Sequence, residues 1–478
     1  MKKVITLLLF SSCIFFVHAQ VLVSRTLIGS YTKAQVDSIL DANGIPTFIY
    51  QGKYDVDAYK VIYNTQDYDS TIVLASGLLA VSRNLDCPLP MISYGHGTTS
   101  VQEDVPSRLN GEGIVGLVSA SNGVVMCEPD YLGMGDGAWP HYYLHAYTQA
   151  MCNINLIRAA REICAQDSIA LDGKLYLGGY SQGGFQAMAT HKYIQERFAN
   201  EFNVTASFPG AGSYDMSGAM VDLMLSDLPY PSPGYLPFLV CTWNHVYNFY
   251  TDPAEYFVSP YDTLLPSRVD GLNSIGDLNN LMPDTPKLIF KQAMIDSFAS
   301  NPNHPLRLAL TDNDVYKWVP QAPVTLLHCA NDRQVPKQNT YNAYNYFVQN
   351  GAMAIDTFDP NPALGHGDCG EFYFIFLKNY LDTVLAANGC LTSAKDVLPD
   401  GMVEVFPNPV HDELTLRSAQ FMSGPTQIVV CDIVGHQVYA ASVISDTHRI
   451  KISGWSPGTY LLQYSTSSGR AVKKILVE

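Results

Sequence analysis

Charge is sparse in this chain. Charged residues make up 15% of its 478, and 28 basic side chains face 44 acidic ones, for a net of 28 − 44 = −16. No basic cluster interrupts that balance, which argues against nucleic acid or an anionic membrane surface as a main partner. Cysteine is also scarce, with ten in the chain, so the fold is no disulfide scaffold. There is no C-x-x-C pair and no H-E-x-x-H segment, so the usual zinc arrangements are missing. Only one long apolar run exists, at the very start, and past it no transmembrane helix is expected. What is present is a 47% hydrophobic composition, which excludes a disordered protein, and enough length for two or three domains with a large buried core.

The two ends carry separate signals. Lys2 and Lys3 precede an apolar stretch over 4–17, and Val17-His18-Ala19 supplies small residues before Gln20. This pattern predicts a signal peptide over 1–19 and an exported mature chain; the alternative is an uncleaved anchor, which the clean site at Ala19 disfavours. Loss of Cys13 then leaves an odd number of cysteines. Cys152 and Cys164 share one predicted helix about 18 Å apart, too far to bridge. Cys369 and Cys390 flank another predicted helix and pair only if the chain folds back, so disulfide pairing is not readable. After a linker over 396–402 the texture changes. From 403 to 478 short alternating runs such as Glu413-Leu414-Thr415-Leu416, Gln427-Ile428-Val429-Val430 and Thr459-Tyr460-Leu461-Leu462 are separated by turn signals such as Pro407-Asn408-Pro409 and Ser456-Pro457-Gly458. That spacing predicts a small antiparallel β-sandwich. Phe406-Pro407-Asn408-Pro409, Asp432-Ile433-Val434-Gly435, Gly458-Thr459-Tyr460-Leu461-Leu462 and the terminal Lys473-Lys474-Ile475-Leu476-Val477-Glu478 resemble, in order, the C-terminal sorting domain of the type IX (Por) secretion system of Bacteroidetes. The resemblance implies an outer-membrane translocon as partner, passage through the periplasm, and a secreted or cell-surface destination. The alternative is an ancillary, carbohydrate-binding sandwich, for which Trp455, Tyr439, Tyr460 and Tyr464 make a thin platform.

Residues 20–395 alternate strand and helix. Strands are expected at 61–63, 70–75, 90–94, 123–127, 174–178, 205–208, 324–328 and 354–358, with helices at about 142–165, from Gln182, and from about Glu371 to 387. Short apolar strands between helices imply an α/β fold with a mainly parallel sheet covered on both faces. The interval 215–319 breaks the rhythm with prolines and aromatics and is far too long for a loop. It is read as a mostly helical cap inserted between two strands. Leu236-Pro237-Phe238-Leu239-Val240, Trp243, Tyr247, Phe249 and Tyr250 give it apolar surface that suits an acyl chain or forms the cap's own core.

The chemistry is concentrated in a few loops. Gly179-Tyr180-Ser181-Gln182-Gly183 has the form G-x-S-x-G, and with 35 glycines a chance match is not rare, so its setting carries the argument. It follows an apolar strand and opens a helix, as a nucleophile elbow requires, and the N–H of Gln182 would point at a developing oxyanion. A serine needs a base, and a base needs an orienting acid. In this fold order they follow later strands: His366 in Gly365-His366-Gly367-Asp368, and Asp332 in Ala330-Asn331-Asp332-Arg333. Asp356 and Asp359 are alternative acids, His328 is an alternative base read as packed in its strand, and Asp368 is read as the cap of the last helix. The second oxyanion donor should come from Gly95-His96-Gly97-Thr98-Thr99, with Thr98 preferred to Thr99 and His96 bracing the loop.

Together with Glu128-Pro129-Asp130-Tyr131-Leu132-Gly133 and Ala211-Gly212-Ser213-Tyr214-Asp215, these motifs resemble the α/β-hydrolase fold over about residues 45–390, and within it secretory lipases and related capped esterases. The resemblance implies cofactor-free hydrolysis of a small-molecule or lipid carboxylic ester by Ser181, His366 and Asp332. Other readings are a serine peptidase of the prolyl oligopeptidase type, a polysaccharide acetyl or feruloyl esterase, and an inactive binding protein on the same fold.

Overall fold

The computed structural model describes residues 21–43, 45, 50–85, 87–387, 403–418, 426–432, 437–466 and 469–478. The expected signal peptide, the linker over 396–402 and Cys390 lie outside the described residues.

Nine strands form one sheet: β1 (Leu22–Tyr31), β2 (Val56–Gln66), β3 (Ile72–Ser82), β4 (Leu89–Gly95), β5 (Val125–Pro129), β6 (Leu171–Tyr180), β7 (Val204–Gly210), β8 (Val324–Leu327) and β9 (Ile355–Phe358). Their spatial order is β1-β2-β3-β5-β4-β6-β7-β8-β9. From β5 onward neighbours run parallel, whereas β1, β2 and β3 form an antiparallel meander joined to β5. The sequence reading anticipated eight of these strands and missed β1. That strand exposes half of its residues, buries only Leu22 and pairs only with β2, so it lacks the buried alternation that betrays a strand.

Helices cover both faces: α1 (Lys33–Ala42), α2 (Gly113–Ala120), α3 (Ala146–Gln166) and α4 (Gln182–Arg197) precede the cap. Within the cap lie α5 (Ala219–Leu225), α6 (Tyr235–Tyr247), α7 (Tyr261–Leu264), α8 (Ile275–Asn279), α9 (Gln292–Ser300) and α10 (Pro305–Asp312). After it come α11 (Gln338–Gln349) and α12 (His366–Ala387). The period-two alternation of the strands divides the core. Met91, Leu175 and Leu177 point to the side of α3, while Ile92, Tyr94 and Tyr176 point to α2 and α12. The helical insertion lies between β7 and β8, as expected. Phe238, Trp243, Phe257 and Phe298 of the insertion share one buried cluster with Phe185 and Met188 of α4, so the cap is packed directly onto the helix that follows Ser181. Burying large aromatic and aliphatic side chains contributes about 1.5–3 kcal/mol each, which anchors the cap over that end of the sheet.

The last described stretch holds two antiparallel sheets. One pairs β10 (Glu404–Phe406), β11 (Glu413–Arg417) and β14 (Thr447–Lys451); the other pairs β12 (Thr426–Asp432), β13 (Gln437–Val443), β15 (Gly458–Thr466) and β16 (Gly469–Val477). Leu414, Leu416 and Ile450 of the first sheet and Ile428, Leu462 and Ile475 of the second form one core, which makes a β-sandwich. Tyr460 and Tyr464 are buried in it, leaving little aromatic platform outside.

Candidate active site

Ser181 occupies the turn between β6 and α4 with φ 59° and ψ −119°, a conformation rare for a residue with a side chain. The surroundings hold it there. The Ser181 N–H donates to the Gly210 carbonyl at 2.9 Å, and the Phe185 N–H donates to the Ser181 carbonyl at 3.1 Å. Close approach of α4 to β4 explains the glycine at 183, where a Cβ would lie 1.8 Å from the Gly95 carbonyl oxygen. Tyr373 of α12 secures the strand side: its hydroxyl accepts from the Gly179 N–H at 2.6 Å and donates to the Phe208 carbonyl at 2.7 Å.

Asp332 and His366 arrive from the loop after β8 and the first residue of α12. His366 Nε2 lies 2.8 Å from Ser181 Oγ, and its Nδ1 lies 2.5 Å from Asp332 Oδ2. These three side chains, far apart in the chain, form one hydrogen-bonded line. Asp332 is buried, and its Oδ1 accepts the N–H groups of Gln334 and Val335, each at 2.9 Å. Burial alone would raise its pKa, but the hydrogen bonds from His328 and His366 outweigh that and hold it well below the usual carboxylate range. The alternatives do not join this line: Asp359 is paired with Lys337, and Asp356 lies in β9.

Two expectations about the last helix need correction. The last helix begins at His366 rather than near Glu371, because the Cys369 N–H already donates to the Gly365 carbonyl at 3.0 Å. Asp368 therefore sits inside the first turn and does not cap the helix; an acid there favours the positive end of the helix dipole. Cys369 pairs with Cys329, with a Cα–Cα distance of 6.0 Å. That disulfide joins the loop of Asp332 to the helix of His366, each cysteine three residues from the functional side chain. His328 is buried, as read, one residue past the end of β8, and is hydrogen-bonded to Asp332.

The loop after β4 lies over the same region. His96 braces it, as expected: the ring lies 2.7 Å from the Gly97 carbonyl and stacks on Tyr131 at 4.2 Å. Burial lowers its pKa to about 4, so it is neutral at physiological pH. Glu112, which no motif in the sequence marked, accepts the Gly97 N–H at 3.0 Å and the Tyr94 hydroxyl at 2.6 Å, holding the loop from below. The Thr98 hydroxyl lies 3.1 Å from that of Tyr143. Gln182 is buried, and its side-chain amide donates to His141 Nε2 at 2.8 Å. His141 Nδ1 in turn donates to the Leu132 carbonyl at 2.9 Å, and burial lowers this imidazole to about 3, which keeps it neutral. Three signals in the sequence pointed at this scaffold: the His-Gly pair, the residue after Ser181, and the Glu128–Gly133 motif that holds Tyr131 and Leu132.

Ser181 and Gln182 open into a pocket whose walls are apolar. Leu236 and Leu239 of α6, Met220 and Leu223 of α5, and Leu306 and Leu310 of α10 line it. The apolar cap residues noted in the sequence thus divide: Leu236 and Leu239 face the pocket, while Trp243 is cap core and donates its indole N–H to the Tyr143 carbonyl at 2.7 Å.

Comparison with known proteins agrees with both halves. Residues 404–478 match the secretion system C-terminal sorting domain, a tail that implies export to the cell surface or beyond. The chain is similar to a crystal structure of a Legionella pneumophila protein assigned as a hydrolase, with 27% identity, a TM-score of 0.71, and coverage of 77% of this chain and 98% of that one. The rice cell wall degrading esterase LipA of Xanthomonas oryzae matches at 28% identity and a TM-score of 0.67, covering 77% and 97%. Candida antarctica lipase A in its closed state shares the fold at 15% identity and a TM-score of 0.57, covering 76% and 82%. No curated protein matches the chain. Among the described residues no helix is long and apolar enough to cross a membrane. The chain therefore has an α/β-hydrolase fold with a helical cap, similar to that of esterases and lipases, followed by a secretion-system sorting domain.

Proposed function

We propose that this protein is an exported serine hydrolase that cleaves carboxylic esters through Ser181, His366 and Asp332. The observation that carries the reading is the unbroken line Asp332 Oδ2, His366 Nδ1, His366 Nε2, Ser181 Oγ, with Ser181 lining an apolar pocket. His366 Nε2 takes the Ser181 proton as Oγ attacks the ester carbonyl. Asp332 remains ionised and stabilises the imidazolium without accepting its proton. The developing oxyanion is held by backbone N–H groups, those of Gln182 at the start of α4 and Thr98 in the loop after β4. His366 then protonates the departing alcohol, leaving an acyl group on Ser181. A water deprotonated by His366 releases the acid and restores the serine.

The leucine and methionine lining favours an aliphatic acyl group over the polar backbone of a peptide. Similarity to a cell wall degrading esterase supports a second reading, removal of small acyl groups from polysaccharide. Turnover of p-nitrophenyl acetate, butyrate and palmitate, with Ser181→Ala as control, tests both. Turnover of butyrate and palmitate that Ser181→Ala loses by orders of magnitude is expected. Activity confined to acetate favours the polysaccharide reading, and no Ser181-dependent turnover on any ester overturns the proposal.

A further inference from the structure

Asp332 is bonded to more than the base it orients. His328 Nε2 lies 3.1 Å from the same Oδ2 that receives His366, and 2.9 Å from the Val335 carbonyl. A carbonyl only accepts, so Nε2 carries a proton, which it shares between the two oxygens. Its other nitrogen, Nδ1, then accepts from the Thr340 hydroxyl at 2.7 Å. The His328 and Asp332 side chains have no solvent exposure. With two N–H groups on Oδ1 and two imidazoles on Oδ2, the Asp332 carboxylate has four donors for about four lone-pair sites.

We propose that His328 is a positioning residue for the acid–base pair. Its Nε2–H fixes the plane of the Asp332 carboxylate and draws charge from Oδ2, so that His366 is held in line by a carboxylate oxygen shared between two imidazoles. The kinetic part rests on the ester-hydrolase reading; the effect on His366 does not. Other groups bear on the pair. Glu112, just before α2, is coupled electrostatically to His366, and the Tyr180 ring of β6 lies 5.1 Å from it. Tyr230 and Tyr235 of the cap interact with Asp332, Arg333 follows it in the chain and reaches the Pro229 carbonyl, and Asp368 lies in the first turn of α12. The three tyrosines are pushed up by burial and stay neutral, which leaves the carboxyls, Arg333 and His328 as polar influences on His366.

Three substitutions separate positioning from packing. His328→Leu removes the donor. His328→Gln keeps an N–H at the reach of Nε2, whereas His328→Asn reaches only the position of Nδ1. The Leu and Asn variants are expected to raise the His366 titration by about half a pH unit or more and to lower kcat about tenfold with KM within about twofold; Gln is expected to stay near wild type. The titration is read twice, from the acid limb of kcat/KM and from the His366 imidazole resonances in NMR, which need no substrate. If Leu does not fold, the Gln and Asn pair decides. The proposal is overturned if folded Leu or Asn variants keep the wild-type His366 titration, or if Gln is as impaired as Leu. Absence of ester turnover in the wild type would sink the ester reading while the NMR titration still judges His328.

Discussion

Gly183→Ala is the sharpest structural test of how the site is assembled. The added Cβ would lie 1.8 Å from the Gly95 carbonyl oxygen and 2.4 Å from its carbon, both backbone atoms that cannot rotate away. Contacts below 3.0 Å essentially never occur, so α4 and the end of β4 must separate by at least 3.0 − 1.8 = 1.2 Å. Ser181 lies two residues before Gly183 and Thr98 three after Gly95, so the separation pulls the nucleophile and one proposed oxyanion donor apart. A misplacement of about 1 Å costs on the order of 100-fold in rate, and the overpacking costs about 1–3 kcal/mol of stability. The assay is kcat and KM on p-nitrophenyl butyrate beside a thermal melt. Gly276→Ala is the control, since its Cβ would meet nothing nearer than 3.4 Å, and within α8 it should leave kcat and KM unchanged and not lower the melting temperature. Wild-type kcat in a folded Gly183→Ala protein would refute the reasoning.

Two further predictions concern stability. Burial lowers His191 to about 3, so on acidification the unfolded chain takes up a proton below about pH 6.5 that the folded chain refuses. The stability tied to this neutral imidazole is complete above that pH and declines as pH falls toward 3. Between pH 7.5 and 5.5 the wild type should lose about 1.4 kcal/mol more than His191→Gln in urea titrations; equal losses would contradict the assignment. The Cys329–Cys369 bridge closes a loop with a sequence separation of 40, for which chain entropy gives about 4 kcal/mol. Cys329→Ala with Cys369→Ala should lower the melting temperature markedly and reduce kcat more than it raises KM, because the bridge holds the Asp332 loop to the His366 helix. An unchanged melting temperature would show that the bridge contributes little.

What could be read from the chain depended on whether a residue's reason is local. Ser181 was legible because an elbow needs glycines at fixed offsets between a strand and a helix. Asp332 and His366 were legible from their stations after β8 and before the last helix. The start of α12 was not, since Gly365-His366-Gly367 reads as loop and its helical hydrogen bonds leave no periodic mark. Glu112 acts by reaching across space to Gly97, and no spacing announces such a partner; His328 stands only four residues before Asp332, but nothing in the pattern at the end of β8 says that its ring turns onto that carboxylate. The Cys329–Cys369 pairing depends likewise on how β8 and α12 come together, which the cysteine positions alone do not reveal.

The central claim is that Ser181 is a nucleophile activated by His366 and Asp332. Its most direct test is labelling of the intact protein with a fluorophosphonate, followed by peptide mass mapping. The account predicts one phosphonyl group per chain, on Ser181, formed rapidly in the wild type and orders of magnitude more slowly in His366→Ala. Labelling elsewhere, or at the same rate without His366, would contradict it.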